Sequence, residues 1–110
     1  MATLTAQTIV RAGLEATYAA CAGGGDEFVN TGAEFIHIKN GHSGTQTVTI
    51  ATPNTVDGLA IADRAVAVTN AEERMIGPFP PGIYNDGNGK VQLTYDAVTA
   101  LTIAILKLGT

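Results

Sequence analysis

Tryptophan is absent from this chain, cysteine occurs once, and only 15% of the residues are charged. The single thiol, Cys21, has no partner within the chain, so the fold does not depend on an internal disulfide, and assembly in a reducing cytoplasm is expected. The six lysines and arginines are scattered, and no aromatic residues lie among them as a base-stacking platform would require. We therefore expect no binding to nucleic acid.

Long apolar stretches are missing as well. The sequence contains no run of about eighteen apolar residues, which is the length that a membrane-spanning helix needs. Its N-terminal part also lacks the basic start and continuous apolar segment of a signal peptide. The sequence thus predicts no membrane partner.

The length of 110 residues indicates one domain, over residues 1–110. Hydrophobic residues make up 45% of the chain, whereas the charged fraction lies below the ~25% that is usual for soluble domains. This balance suggests that a partner covers part of the surface, and it favours an oligomer. The alternative is that alanine and glycine raise the apolar count without creating an adhesive surface.

Alternating apolar and polar residues predict most of the strands. Residues 34–39 alternate so that Ile36 and Ile38 face the core, and residues 45–50 alternate back after a turn at 40–44, which predicts a hairpin. Residues 64–69 and 73–76 are predicted to form a second such pair. Further strands are predicted at residues 91–95 and, as a central or interface strand, at residues 101–108.

The remaining segments carry weaker signals. Residues 5–10 and 15–20 are predicted to be extended, although the alanine-rich second segment could form a short helix. Gly23–Gly25 predicts a flexible loop, and residues 55–63 a longer connection anchored by apolar side chains. Residues 77–82 are rich in proline, so they must lie at a sheet edge or cross between sheets, and Ile83–Tyr84 is predicted to be extended again.

Together these segments predict an all-β fold, a single antiparallel β-sandwich of about eight short strands, with the jelly roll as one such arrangement. The connections are too short for a helical crossover. Residues 1–10 lie outside the strongest core pattern, and their threonine-rich composition predicts an extended arm that reaches a neighbouring subunit.

The side chains with chemical potential form no catalytic set. His37 and His42 lack a cysteine or carboxylate at zinc-ligand spacing, and the segment that begins at Asp86 lacks the glutamate expected at the twelfth position of a calcium loop. Cys21 is interpreted as a buried, inert thiol. We expect no catalytic residue, no metal, no cofactor and no enzymatic activity.

Four segments in order, FVNTGAEFIHIKNG, TVTIATPNTVDGLAIADRAVAV, ERMIGPFPPGIYNDGNGKVQLTY and TALTIAILKL, resemble the small capsid decoration (cement) proteins of tailed bacteriophages. The resemblance covers roughly residues 28–108. It implies a structural virion protein that binds the outer surface of the head, often as a trimer, and stabilises contacts between major capsid protein subunits. It also implies assembly in the host cytoplasm.

Two other classes stay open. One is a β-sandwich module of a virion fibre that binds glycans or a receptor, and the other is a head–tail connector or tail component. Phe79, held between two prolines, is interpreted either as a rigid anchor for a partner or as a core plug. The candidate partner-binding residues are Thr3, Leu4, Thr5, Phe79, Pro80, Leu106 and Leu108.

Overall fold

Residues 2–109, which are the part of the chain that the computed structural model describes, form twelve β-strands and one helical turn. In chain order these are β1 (Ala2–Leu4), β2 (Ala6–Ile9), β3 (Ala19–Ala20), β4 (Asp26–Val29), β5 (Glu34–Asn40), β6 (Gln46–Ile50), β7 (Thr55–Val56), β8 (Leu59–Ala60), β9 (Arg64–Val68), β10 (Glu73–Ile76), α1 (Pro81–Tyr84), β11 (Lys90–Tyr95) and β12 (Leu101–Leu108). Eight of the strands have four residues or more.

The strands form two main sheets. The first sheet has the order β1-β4-β11-β6-β9, and the second has the order β10-β5-β12-β2, with the short β3 also pairing with β12. A separate small hairpin pairs β7 with β8. The predicted all-β sandwich is confirmed. Its long strands pair in antiparallel fashion, but β1 with β4 and β2 with β12 are parallel, so both sheets are mixed.

The core lies between the two sheets and is built by the alternation that the sequence shows. Along β5 every second side chain is buried, which places Ile36 and Ile38 inside, and Ile103 of β12 packs beside them. Val48 and Leu93 contribute from the opposite sheet. Burying one such side chain stabilises the fold by about 1.5–3 kcal/mol.

The predicted hairpin between residues 34–39 and 45–50 is wrong. Both strands exist, but β5 lies in the second sheet and β6 in the first. The turn at residues 40–44 therefore connects the two sheets instead of closing a hairpin. The buried side chain of Asn40 fixes this crossing. Its amide nitrogen donates to the carbonyl oxygens of Gly44 and Val68, each at 2.9 Å, and its oxygen accepts from Gln46 Nε2 at 2.9 Å. These partners lie in or beside the first sheet, so Asn40 joins the two sheets at this end.

The second predicted pair is also wrong, for the same reason. The strands β9 and β10 form as expected, yet β9 pairs with β6 and β10 pairs with β5. The turn between them, residues 69–72, therefore passes from one sheet to the other.

Two local predictions fail at prolines and glycines. Residues 81–84 form a helical turn and are not extended, because Pro81 has a backbone angle suited to the first position of a helix. Residues 55–60 form a hairpin around Asp57 and Gly58, which both have positive φ. Val56 and Leu59 are 58% and 70% exposed, so they do not anchor this connection in the core.

The extended arm predicted for residues 1–10 is not what the structure shows for residues 2–9. They pair with their own chain, first with β4 in one sheet and then with β12 in the other. Met1 lies outside the described residues. Of residues 15–20, only Ala19 and Ala20 form a strand.

The triple glycine leads directly into β4, a strand that the sequence analysis did not predict. Gly25 is buried at φ +98°, and a Cβ placed on it would lie 2.5 Å from the carbonyl oxygen of Leu93. A side chain at this position would therefore push β4 away from β11, which explains the glycine.

Candidate interaction surface

The two lateral sides of the sandwich differ. On one side, which we call the closed side, residues 2–9 run along both sheets and cross between them at Thr5. Leu4 and Ala6 pack against the core from this position. The edges of β4 and β12 are therefore covered by the chain itself, and β1 and β2 become the outermost strands of the two sheets on this side.

The opposite side has no such cover within residues 2–109. The edge strand of the first sheet is β9 and that of the second sheet is β10, and neither pairs with a further strand. We call this the open side, and define it by β9, β10 and the following residues 77–78. A groove of about 370 Å³ lies between the two edge strands, with Val66, Ile76 and Tyr84 among its lining.

Large apolar side chains are exposed on or next to the open side. Met75 of β10 is 67% exposed and lines both the groove and a neighbouring depression of about 310 Å³ beside Phe35. The exposed Val56 and Leu59 belong to the β7–β8 hairpin, which leads through residues 61–63 into β9. An exposed methionine beside a groove with apolar lining is typical of surfaces that bind other proteins.

The structure separates the candidate residues that the sequence indicated. Thr3, Leu4 and Thr5 lie on the closed side, where Thr3 Oγ1 donates to Glu27 Oε2 at 2.8 Å and Leu4 is half-buried. On the adjoining strand β12, Leu106 is only 5% exposed, whereas Leu108 is 71% exposed. Thr3, Thr5 and Leu108 are thus the accessible members of this group.

Phe79 and Pro80 lie away from the closed side. The Phe79 ring is 2% exposed and packs against Phe28 and Tyr84, with ring centroids 5.9 and 5.3 Å away. Of the two interpretations of Phe79, the structure supports the core plug and not the anchor. Pro80 is exposed, and its carbonyl oxygen accepts from the main chain of α1 at Ile83 and Tyr84.

A hydrogen-bonded row of side chains lies on the outer face of the second sheet. Tyr18 bonds through its hydroxyl to His37 Nδ1, and His37 Nε2 bonds to the Glu73 carboxylate. Lys39 Nζ lies 4.0 Å from the centre of the Tyr18 ring. The His37 side chain is only 12% exposed. These contacts fix the segment before β3 over the sheet.

A second polar cluster is buried inside. Asp26 accepts a hydrogen bond from Tyr95 Oη at 2.7 Å, and its other oxygen has no hydrogen-bond partner among residues 2–109. Burial raises the pKa of the nearby Cys21 thiol to about 12, which matches the interpretation of Cys21 as a buried thiol. Burial and the bond to Asp26 also raise the pKa of Tyr95.

The loop that begins at Asp86 is a tight turn. Asp86 Oδ1 accepts from the main-chain nitrogens of Asn88 and Lys90 at 2.8 and 3.0 Å. Hydrogen bonds from these two amides lower the pKa of Asp86. Between residues 2 and 109 no three His, Cys, Asp or Glu side chains are placed to hold a metal ion. In the same range, no helix is long and apolar enough to cross a membrane.

Comparison with known proteins adds no identification. No family model, no curated protein and no solved structure matches this chain. The fold class therefore stands on the structure alone.

The sequence analysis missed the open side. The neighbouring β7–β8 hairpin did have a local signal, because Asp57-Gly58 between apolar residues is the usual pattern of a two-residue hairpin turn, with Val56 and Leu59 at its tip. The exposure of Met75 and the pairing of β9 and β10 with other strands depend on tertiary structure and leave no local pattern.

Proposed function

We propose that this protein is a decoration, or cement, protein that binds the outer surface of a bacteriophage head and stabilises contacts between major capsid protein subunits. The proposal includes a homotrimer as the binding form and the virion as the final location, after assembly in the host cytoplasm. Neither nucleic acid nor a membrane takes part in it, and neither does an enzymatic reaction or a cofactor.

The open side carries the proposal. It combines two unpaired strand edges with the exposed side chain of Met75, and the molecule is a plate of about 39 × 36 × 20 Å, thin enough to lie on a larger surface. Unpaired edges of this kind pair readily with strands of other proteins. The sequence resemblance to decoration proteins supports the same conclusion. If many copies each bind where capsid subunits are in contact, and do not bind separated subunits, their binding stabilises the intact capsid by mass action.

A glycan-binding module has less support from the geometry. Sugar-binding surfaces need accessible aromatic rings, but each of the three tyrosines is half-buried and in contact with another side chain. Tyr18 bonds to His37, Tyr84 packs on Phe79 and Tyr95 bonds to Asp26. A connector or tail component would share the virion setting and would differ in symmetry, as a ring of more copies.

The first test combines light scattering with co-sedimentation of the purified chain with expanded, undecorated heads. We expect trimers that sediment with the heads in saturable stoichiometry. A monomer that does not sediment with heads would contradict the proposal, and a larger ring would favour the connector.

A matched pair of variants tests whether the open side is involved. Met75→Asp places a charge on the open side, whereas Val29→Asp changes a comparably exposed apolar residue, 55% against 67%, on the strand next to β1. We expect Met75→Asp to reduce occupancy of the heads and Val29→Asp to leave it unchanged. Equal occupancy for both would exclude Met75 from the interface.

A further inference from the structure

The groove on the open side lies between two strand edges that pair with no further strand within residues 2–109. Thr47 O of β6 accepts from Asp96 N, and Ala51 N, four residues further along and directly after β6, donates to Gln92 O. Odd-numbered residues of β6 therefore bond towards β11, and even-numbered residues towards β9, because bonding direction alternates along a strand.

This pattern fixes which atoms of β9 are free. Val66 pairs with Val48, an even-numbered residue of β6, so its main-chain groups bond to β6. The N–H and C=O groups of Ala65 and Ala67 must then point out of the sheet at the open edge. Their side chains are small and exposed, and β9 has no lysine, proline or bulge of the kind that usually protects an edge strand.

The same reasoning applies to β10. Asn40 N donates to Glu72 O, so even-numbered residues of β10 bond to β5. The main-chain groups of Met75 therefore point to the open edge. Each sheet thus offers an unpaired edge, with Ala65 and Ala67 on one and Met75 on the other.

Within residues 2–109, the lining of the groove offers one positive charge that has no ion-pair partner. Both charged residues that line it are arginines, Arg64 and Arg74, although the whole chain has a net charge of −4 and only six lysines and arginines. Arg74 is paired with Glu72 at 3.0 Å, but Arg64 makes no ion pair within residues 2–109. An acidic partner would satisfy Arg64, and a basic one would be repelled.

The closed side shows how an extended segment can pair with the edges of both sheets. There, residues 2–4 extend one sheet, Thr5 crosses, and residues 6–9 extend the other. Leu4 and Ala6 fill the space between the sheets. The open side also has one edge from each sheet, and Val66 and Ile76 provide apolar lining between them, but no segment of residues 2–109 pairs with these edges.

We propose that the groove between β9 and β10 binds an extended, acidic segment of a partner protein, which adds a strand to the free edge of β9 and inserts apolar side chains between the sheets. That the segment belongs to a capsid protein rests on the proposed function. The preference for an acidic, extended peptide rests on the groove itself.

The probe is a random dodecapeptide library selected on the immobilised full chain. We expect selected peptides in which apolar residues alternate and acidic residues are enriched. When such a peptide binds, amide hydrogen exchange at Ala65, Ala67 and Met75 should slow. Peptides without acidic residues, or slowed exchange confined to other strands, would overturn the proposal.

Two pairs of variants locate the binding. Ala67→Pro removes an N–H that the β6–β9 ladder does not use, whereas Ala67→Thr keeps that N–H. We expect the selected peptides to bind Ala67→Pro about tenfold more weakly and Ala67→Thr within about twofold of the unaltered chain. Arg64→Glu, which leaves the main chain intact, should weaken the same peptides, and Arg64→Lys should largely preserve binding. Undiminished binding to Ala67→Pro or to Arg64→Glu would contradict the proposal.

The outcome is separable from that of the proposed function. Heads that bind Ala67→Pro and Arg64→Glu as well as the unaltered chain would refute the groove as the contact and leave the decoration role standing. If acidic peptides bind the groove but the chain does not bind heads, the decoration role is refuted and the groove remains a peptide-binding site.

Discussion

The Glu27 carboxylate joins three strands on the outer face of the first sheet. It accepts hydrogen bonds from Gln92 Nε2 and Lys90 Nζ of β11, both at 3.0 Å, and from Thr3 Oγ1 of β1 at 2.8 Å. The bond from Gln92, followed by those from Thr3 and Lys90, lowers the pKa of Glu27 to about 2. One side chain thus links the N-terminal strand to the centre of the sheet.

This network predicts a dependence of stability on pH. An unfolded glutamate titrates near pH ~4.3, above the folded pKa of Glu27, so the contribution of its carboxylate is complete above the unfolded value and is lost as the pH falls towards the folded one. We expect the free energy of unfolding to decrease from about pH 5 to about pH 2, and to decrease less in Glu27→Gln. Urea unfolding at a series of pH values measures both.

Glu15→Gln is the control, because it removes the same charge from an exposed position. If Glu27→Gln and Glu15→Gln lose stability in acid to the same extent, the hydrogen bonds to Glu27 do not contribute in solution.

At the scale of elements, the sequence predicted the long strands and their buried faces but not their neighbours. In β5 the alternation around Ile36 and Ile38 is unbroken, so the buried face could be predicted from local pattern alone. The alternation of apolar and polar residues does not indicate which other strand pairs with β5. The crossing after β5 depends on Asn40 bonding to Val68, which lies 28 residues away, and no local rule identifies such a partner.

The missed elements have weak local signals. β4 begins with Asp26 and Glu27, residues that are uncommon in strands, and it is held by its pairing with β11. The candidate surface was harder still to predict, because the groove that Arg64 and Arg74 line exists through the tertiary placement of β9 and β10 in different sheets. By contrast, the sequence did provide the core-plug interpretation of Phe79.

The N-terminal strands allow a test of the closed side. Leu4 is half-buried against the core, whereas its neighbour Thr5 is exposed at the crossing. We expect Leu4→Ala to lower the free energy of unfolding by about 1–2 kcal/mol and Thr5→Ala to change it by less than about 0.5 kcal/mol. Urea unfolding of the two variants provides the measurement. No effect from either variant would mean that residues 2–9 leave the sheets in solution, as an arm would.

At the scale of the whole molecule, the chain passes from sheet to sheet at almost every turn. Within residues 2–109, the consecutive strands that pair with each other are β7 and β8, and the longer strands on either side of them, β6 and β9, pair as well. Most other pairings join distant parts of the sequence. Such non-local pairing requires the closure of long loops before contacts can stabilise them.

We therefore expect refolding from urea to take milliseconds to seconds, as in other β-sandwiches of non-local topology. Because the chain has no tryptophan, tyrosine fluorescence or circular dichroism in a stopped-flow instrument is the suitable measurement. Refolding within microseconds would indicate that most stabilising contacts are local.

The exposed β7–β8 hairpin divides the strands into two sets that interleave. In the first sheet β11, from the second half of the chain, lies between β4 and β6 from the first half, and in the second sheet β12 lies between β5 and β2. A single cut between Asp57 and Gly58 would leave two fragments whose strands remain hydrogen-bonded to each other in both sheets. Proteolysis at this exposed tip would nick the protein without releasing either piece, and the two pieces, produced separately, provide a natural pair for split-protein complementation.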